Sequence, residues 1–298
     1  MEAAFNQNRS FEQRLADFAP ELGSFLNKVW RSRSAIDLQR HDVGSGQIYG
    51  MYSGTTPDRP FNADKLLTFV AQLKAVAGHY NIKCQALGRT LGDLNKSEIC
   101  VYGPTLWTDF FHVFSQSRMA TVRNRLYVHA TNWSSGLEIM RVIIGKYSSN
   151  RGISEAKICG PGSKRLDTIV AYLVDEASRN TLMSDLMIAA KRRPALFADS
   201  LPPLIKRVAP GIGTSNEPPE IEIEKGKTRH SFGSFYSSLI WVALKETPQV
   251  ATPNADPRHM LDNMLYSLKL LRVDPRDPTC FPDAAALEQW SEAKMLGH

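Results

Sequence analysis

The chain has 298 residues, enough to bury a sizeable core in one large domain or two small ones, and its 43% hydrophobic and 22% charged content is that of an ordinary globule. A formal net charge of +6 and a pI near 9.1 favour an anionic partner without choosing its class. Lys and Arg are scattered, with KRR at 191–193 the densest run, which argues against a dedicated nucleic-acid binder.

In chain order, FEQRLADF and LGSFLNKVW within residues 11–37 place apolar side chains near helical spacing, interrupted at Pro20, and predict two short helices. QIYGMYS (47–53) alternates like a strand and is closed by the polar turn GTTPDRP. FNADKLLTFVAQLKAVAGHYN then puts Leu66, Phe69, Val70, Leu73, Val76, Ala77 and Tyr80 on one helical face, with Asn62 as its cap. WTDFFHVFS and RLYVHAT, rich in aromatic and β-branched residues, read as strands. Ser135 followed three residues later by Glu138 is a capping box, opening a helix with Leu137, Met140, Ile144 and Tyr147 inward.

Strands EAKICG and DTIVAYLV follow, joined by the basic turn PGSKR, and then a helix from about Glu176 to Arg192 that stops before Pro194. The order β-β-α-β-β-α predicts an α+β layer fold, a mostly antiparallel sheet with helices packed on one face. Residues 194–231 are rich in Pro and Gly and show no sustained period. FGSFYSSLIWVALKE and PRHMLDNMLYSLKLL close the pattern as helices whose apolar stripes are core.

Several chemistries are missing. Cys84, Cys100, Cys159 and Cys280 form no CxxC or CxxH pair, histidines and carboxylates form no metal cluster, and GxSxG, GxxxxGK[ST], HExxH and GxGxxG do not occur. Neither a metal nor a cofactor is expected. The start MEAAFNQNRSFEQR lacks the basic opening and apolar run of a signal peptide, and no later segment approaches the roughly 20 apolar residues of a membrane span. A soluble protein is expected, with no membrane partner.

The candidate chemistry is cationic. In EAKICG, alternation turns Ala156 and Ile158 to one face and Lys157 to the other. A lysine there is either plainly solvated or, held beside other cations and partly desolvated, a base. Lys164 and Arg165 sit in a Gly-Pro-Gly turn whose N–H groups could cradle an anion, and Asp167 can orient Lys157 or Arg165 by a salt bridge. Lys206, Arg207, Arg229 and His230 follow in the Pro-rich stretch, the last two just before a helix start, where cations are disfavoured unless an anion lies between them. His112 and His129 lie on strands, where a lone histidine is more often structural.

RLYVHA, the capped helix, KICGPGSKRLDTIVAYL, PPLIKRVAPGIG, HSFG with its helix and LLRVDPRDP, in that order over residues 47–282, resemble the HopA-type effector family. That family holds type III effectors of plant-pathogenic bacteria and relatives that act as lyases beside a separate kinase in making class V lanthipeptides and thioamitides. The resemblance implies an α+β domain over 46–282, preceded by an N-terminal helical segment (1–45) and followed by a C-terminal helical tail (283–298). It also matches Lys157, Arg165, Asp167, Lys206 and the segment Ser231, Phe232 and Gly233 to the family pattern.

For the lyase branch the resemblance implies elimination of phosphate from phosphoserine or phosphothreonine of a peptide, giving a dehydroamino acid. β-Elimination takes a Cα proton, stabilises an enolate-like oxygen and neutralises the departing phosphate. Lys157 would then be the base, Lys206 the oxyanion or phosphate partner and Arg165 the phosphate anchor, with His230 as acid and Lys164, Asp167 and Arg229 around the phosphate. His112 and Tyr236 stand where the lyase branch carries arginines, and neither replaces a bidentate charge. The alternative is a type III effector that binds a host protein without catalysis. The two readings place the protein in the bacterial cytoplasm or, after translocation, in the host cell.

Overall fold

The structure, a computed structural model, describes residues 9–54, 59–91, 96–115, 121–220 and 230–281. Arg229 and the expected tail 283–298 lie outside the described residues. The chain divides into two compact units, Met1–Tyr52 with Glu217–His298, and Ser53–Asn216.

The first unit is helical: α1 (Phe11–Leu15), α2 (Pro20–Arg31), α3 (His41–Ser53), α9 (Phe232–Lys245) and α10 (Pro257–Leu270). The break at Pro20 occurs as read, because proline at the first helical position gives up an N–H that has no partner there anyway. The stretch 47–53, expected as a strand, is instead the end of α3. Its buried positions Gly44, Ile48 and Tyr52 recur every fourth residue, a helical stripe that the short alternation of QIYGMYS concealed. A side chain at residue 44 would meet the Asp37 carbonyl at 2.0 Å and the Trp241 ring at 2.3 Å, so only glycine fits.

The second unit carries the sheet. Its elements are α4 (Ala63–His79), β1 (Lys83–Ala86), β2 (Arg89–Thr90), α5 (Lys96–Val101), α6 (Gly103–Leu106), β3 (Phe110–Phe114), β4 (Asn124–Val128), α7 (Trp133–Gly145), β5 (Ile153–Cys159), β6 (Ile169–Leu173), α8 (Glu176–Arg192), β7 (Lys206–Ala209) and β8 (Ile212–Asn216). Among the described residues the strands form one antiparallel sheet in the order β2-β1-β3-β5-β6-β4-β8-β7.

Residues opposite each other in an antiparallel ladder share a face. One such row runs Phe111, Ile158, Ile169, Val128, Ile212, and the next runs Val113, Ala156, Ala171, Leu126, Thr214. Apart from Thr214, these side chains pack into one core with Leu66, Phe69 and Leu73 of α4, Leu137, Met140 and Ile144 of α7, and Leu182 and Leu186 of α8. The helices therefore cover one face, as the α+β reading requires.

Local details refine the expectations. Asn62 caps α4 by accepting from the Lys65 amide, but Tyr80 falls past the helix end and is exposed. The cap of α7 is Asn132, whose side chain accepts from the Ser135 amide at 2.9 Å, rather than the Ser135–Glu138 box three residues later. Within the aperiodic stretch 194–231 lies the hairpin β7–β8, closed by Pro210 and by Gly211 at φ 65°, the left-handed conformation a tight turn asks of glycine.

Phe111 is wholly buried and meets Phe69 edge-on at 5.1 Å. Phe111→Ala is expected to cost about 3–5 kcal/mol, the range for deleting a core aromatic, read as a lowered urea midpoint with an unchanged m-value.

Candidate functional site

The basic turn after β5 is held by backbone contacts. The Gly160 amide donates to the Asp109 carbonyl at 2.7 Å and the Gly162 amide to the Trp107 carbonyl at 2.9 Å, while Ser163 donates to Gly160 at 3.1 Å. The Gly160, Gly162 and Ser163 N–H groups are thus engaged within the protein and are not offered to an anion. A Cβ at Gly160 would lie 2.3 Å from the Leu106 carbonyl, and one at Gly162 only 1.9 Å from Trp107 Nε1. The turn also takes the Arg59 amide on the Gly162 carbonyl at 3.2 Å, and Trp107 Nε1 donates to the Arg59 carbonyl at 2.7 Å.

This arrangement leaves a hollow of about 160 Å³ between the turn and the start of α7. Arg59, Lys164 and Arg165 line it together with His129, Ser163 and Thr168, and among the described residues no carboxylate does. A second hollow of about 340 Å³ adjoins it through Arg59 and Pro161 and is walled by Phe61, Trp107 and Lys65.

Arg165 is fixed. Its Nε and Nη2 donate to the two carboxylate oxygens of Asp167 at 2.8 and 2.9 Å, and both side chains are nearly buried, 13% and 6% exposed. Its guanidinium carbon lies 5.0 Å from the Phe110 ring centre. Lys157 shares that ring, with Nζ 4.1 Å from its centre and 5.7 Å from that of Tyr172. Such ring faces attract the ammonium form.

His129 lies just beyond β4. Its Nδ1 is 2.9 Å from the Ser200 carbonyl, which can only accept, so Nδ1 carries the proton and Nε2 the lone pair. Burial holds its pKa below the usual 6.5, and the Ser200 carbonyl bond only partly opposes this. Cys159 also borders the hollow, but burial pushes its thiol up to about 12, which keeps it protonated and unreactive.

The register decides which predicted residues meet. His112 lies directly across from Lys157, and its Nδ1 contacts Glu155 Oε1. The Lys157 row continues through Val170, Tyr127 and Gly213 to Arg207. Lys206 belongs instead to the row of Ala156, Ala171, Leu126 and Thr214, on the helix-covered face. Strands β6, β4 and β8 separate it from β5, so the two lysines are four strand spacings apart, roughly 19 Å at about 4.8 Å each.

His230 and Tyr236 belong to the other unit. His230 is buried with its ring edge-on to Phe235. Tyr236 is wholly buried, and its hydroxyl donates to the Pro278 carbonyl. The Ser231, Phe232, Gly233 segment starts α9: Ser231 caps it by accepting from the Ser234 amide, and a Cβ at Gly233 would lie 2.3 Å from the Tyr52 ring.

The structure thus brings Lys164 and Arg165 to one hollow, sets Asp167 and Lys157 beside Arg165 and its ring, and adds Arg59 and His129, which the sequence reading left as a turn residue and a structural histidine. No cluster of three or more His, Cys, Asp or Glu suited to a metal occurs among the described residues. Nor is any described helix long and apolar enough to cross a membrane.

Residues 105–280, which span the turn, the hollow's α7 wall and the β7–β8 hairpin, match the HopA1 effector protein family. The chain belongs to this family. It is similar to the effector protein from Pseudomonas syringae pv. syringae strain 61 at 17% identity, with 92% of this chain and 99% of that one covered and a TM-score of 0.64. The effector protein from Pseudomonas syringae pv. tomato strain DC3000 is similar at 15% identity, with 91% and 100% covered and a TM-score of 0.63. At these identities the likeness to the two effectors is one of fold. No curated protein sequence matches the chain.

Two outcomes are expected at this site. Asp167→Ala, which leaves a nearly buried guanidinium uncompensated, should cost about 3–5 kcal/mol, read by urea denaturation. Because the folded state disfavours protonated His129, the wild type loses stability as pH falls through the ordinary imidazole value of 6.5. His129→Gln should lose less over that window, in urea midpoints compared at about pH 7.5 and about pH 5.5.

Proposed function

We propose that the chain is a bacterial type III effector, translocated into a host cell, that acts there by binding a host protein through the basic hollow beside the turn 160–165 and not by chemistry on it. Membership of the HopA1 effector family supports delivery to a host. The observation that carries the non-catalytic part is the sheet register, which puts Lys157 and Lys206 on opposite faces with three strands between them. A base and an oxyanion partner must both reach one substrate residue, within about 3 Å of neighbouring atoms.

The second reading is elimination of phosphate from phosphoserine or phosphothreonine of a peptide phosphorylated by a separate kinase. It is favoured by the hollow itself, where Arg59, Lys164 and Arg165 meet an imidazole with a lone pair on Nε2. Against it, Lys157, the expected base, is not among the residues that line the hollow.

The two readings part in one experiment. The protein is incubated with phosphoserine and phosphothreonine peptides, with and without a kinase, and loss of phosphoric acid is followed by mass spectrometry. In parallel the host response to delivered protein is scored for Lys157→Ala/Lys206→Ala and for Arg59→Ala/Lys164→Ala. Unchanged peptides, a response kept by the first pair and a response lost with the second are expected. Phosphoric acid loss that disappears with Lys157→Ala overturns the binding reading in favour of the lyase.

A further inference from the structure

The hollow beside the turn and the one adjoining it differ in chemistry in a way that specifies a ligand. The smaller, of about 160 Å³, is below the roughly 300–1,000 Å³ of pockets that enclose a whole small molecule. It has room for a charged group and little else. Among the described residues its wall carries three cations and no carboxylate, together with hydroxyls from Ser163 and Thr168. The larger, of about 340 Å³, has walls of a different kind: Phe61 stands edge-on to the nearly buried Trp107 with ring centres 5.9 Å apart, and Pro60 and Pro161 line it with them, beside Lys65 and Asn62. Phe61 is 44% exposed, a large apolar face left to solvent.

We infer that the two hollows together form one site for a phosphate monoester on a ring-bearing carrier, with the phosphate among Arg59, Lys164 and Arg165 and the ring against Phe61 and Trp107. The inference deepens the binding reading above, and rests on it for what the site does in the host.

The division of labour follows from how each cation is held. Arg165 is fixed by Asp167, so its charge stays in place whether or not a ligand is present. Arg59 and Lys164 are exposed, and Arg59 is anchored to the turn and to Trp107 through its backbone, which leaves its side chain to close on an oxyanion. An arginine adds a bidentate fork and lysine a point charge, and a tetrahedral dianion accepts both at once. Arg59 and Pro161 border both hollows, so phosphate and carrier meet at the same wall. Flat rings suit the aromatic side, because offset or edge-on contacts with the exposed Phe61 ring, backed by the nearly buried Trp107, reward a π-face.

Phosphotyrosine and a nucleoside monophosphate share this chemistry, and titration distinguishes them. Calorimetry is carried out on the full chain with inorganic phosphate, O-phosphoserine, O-phosphotyrosine, adenosine monophosphate and tyrosine, and Trp107 quenching is followed by intrinsic fluorescence with Trp107→Phe as control. Saturable binding is expected for every phosphate, tighter for the two ring-bearing ones, whichever of these leads naming the carrier. Arg59→Ala/Lys164→Ala should weaken all of them by about tenfold or more, the scale of one charge-assisted hydrogen bond. Phe61→Ala should bring the ring-bearing ligands down to phosphoserine and leave phosphoserine unchanged.

No saturable binding of any phosphate, or binding of tyrosine as tight as of phosphotyrosine, overturns the phosphate assignment. Ring-bearing ligands no tighter than phosphoserine overturn the carrier assignment. Absence of phosphate binding alongside a host response that still needs Arg59 and Lys164 overturns this inference alone. A host response that survives loss of both cations overturns the binding reading itself, whichever ligands bind.

Discussion

The basic hollow exists because backbone meets backbone at the turn after β5. Gly160 and Gly162 let that turn lie against residues 106–109 at a distance no side chain would allow, and two main-chain hydrogen bonds, to the Asp109 and Trp107 carbonyls, fix it there. Once the turn is seated, Ser163, Lys164 and Arg165 are turned toward the start of α7, and Arg59, attached to Gly162 by its own amide, completes the opposite wall. A methyl group at either glycine would force the turn away from Trp107 and open the hollow.

The charges that result are of two sorts. Arg165 and Asp167 form a nearly buried, bidentate pair over the Phe110 ring, an arrangement in which loss of either partner would leave an uncompensated charge. It holds the turn more than it offers a contact. Lys164 and Arg59 are exposed, and their like charges repel across a small hollow whose wall holds no carboxylate among the described residues. A net positive hollow of that kind focuses field on an arriving anion and is relieved by one. The family motif KxxGP followed by RxDxxVxY therefore describes, in this chain, a scaffold (two glycines and an ion pair) as much as a set of contacting groups.

The sheet and its helices were readable because each strand is long enough to show composition and each helix long enough to show a stripe. β3 to β6, α7 and α8 fall where their patterns placed them, and Pro20 and Asn62 punctuated the helices they begin. The α3 error came from a seven-residue window in which Ile48 and Tyr52, one helical repeat apart, look like alternation. β1, β2 and the β7–β8 hairpin are short, and the hairpin's only strong local sign was Pro210–Gly211. At the site, Lys164 and Arg165 were legible as charges in a turn. Arg59 and His129 were not, since they reach the hollow through tertiary contacts with Gly162, Trp107 and Ser200 that no local pattern encodes.

The register also bears on the choice between binding and chemistry, because an antiparallel ladder is a ruler with sides. Residues one apart on a strand face opposite ways, and Lys206 differs from Arg207, which shares the Lys157 row, by that single step. A one-residue slip of β7 would bring a lysine to the Lys157 face, yet it would also pull Ala209 out of its pairing with Ile212 and move the bulge that closes the hairpin at Gly211. Even then three strands would lie between the two cations. Elimination asks a base and an oxyanion partner to act on atoms of one residue, and a rigid sheet cannot shorten that span. The cations that do converge on the hollow are Arg59, Lys164 and Arg165, and Lys157, the expected base, is not among the residues that line it.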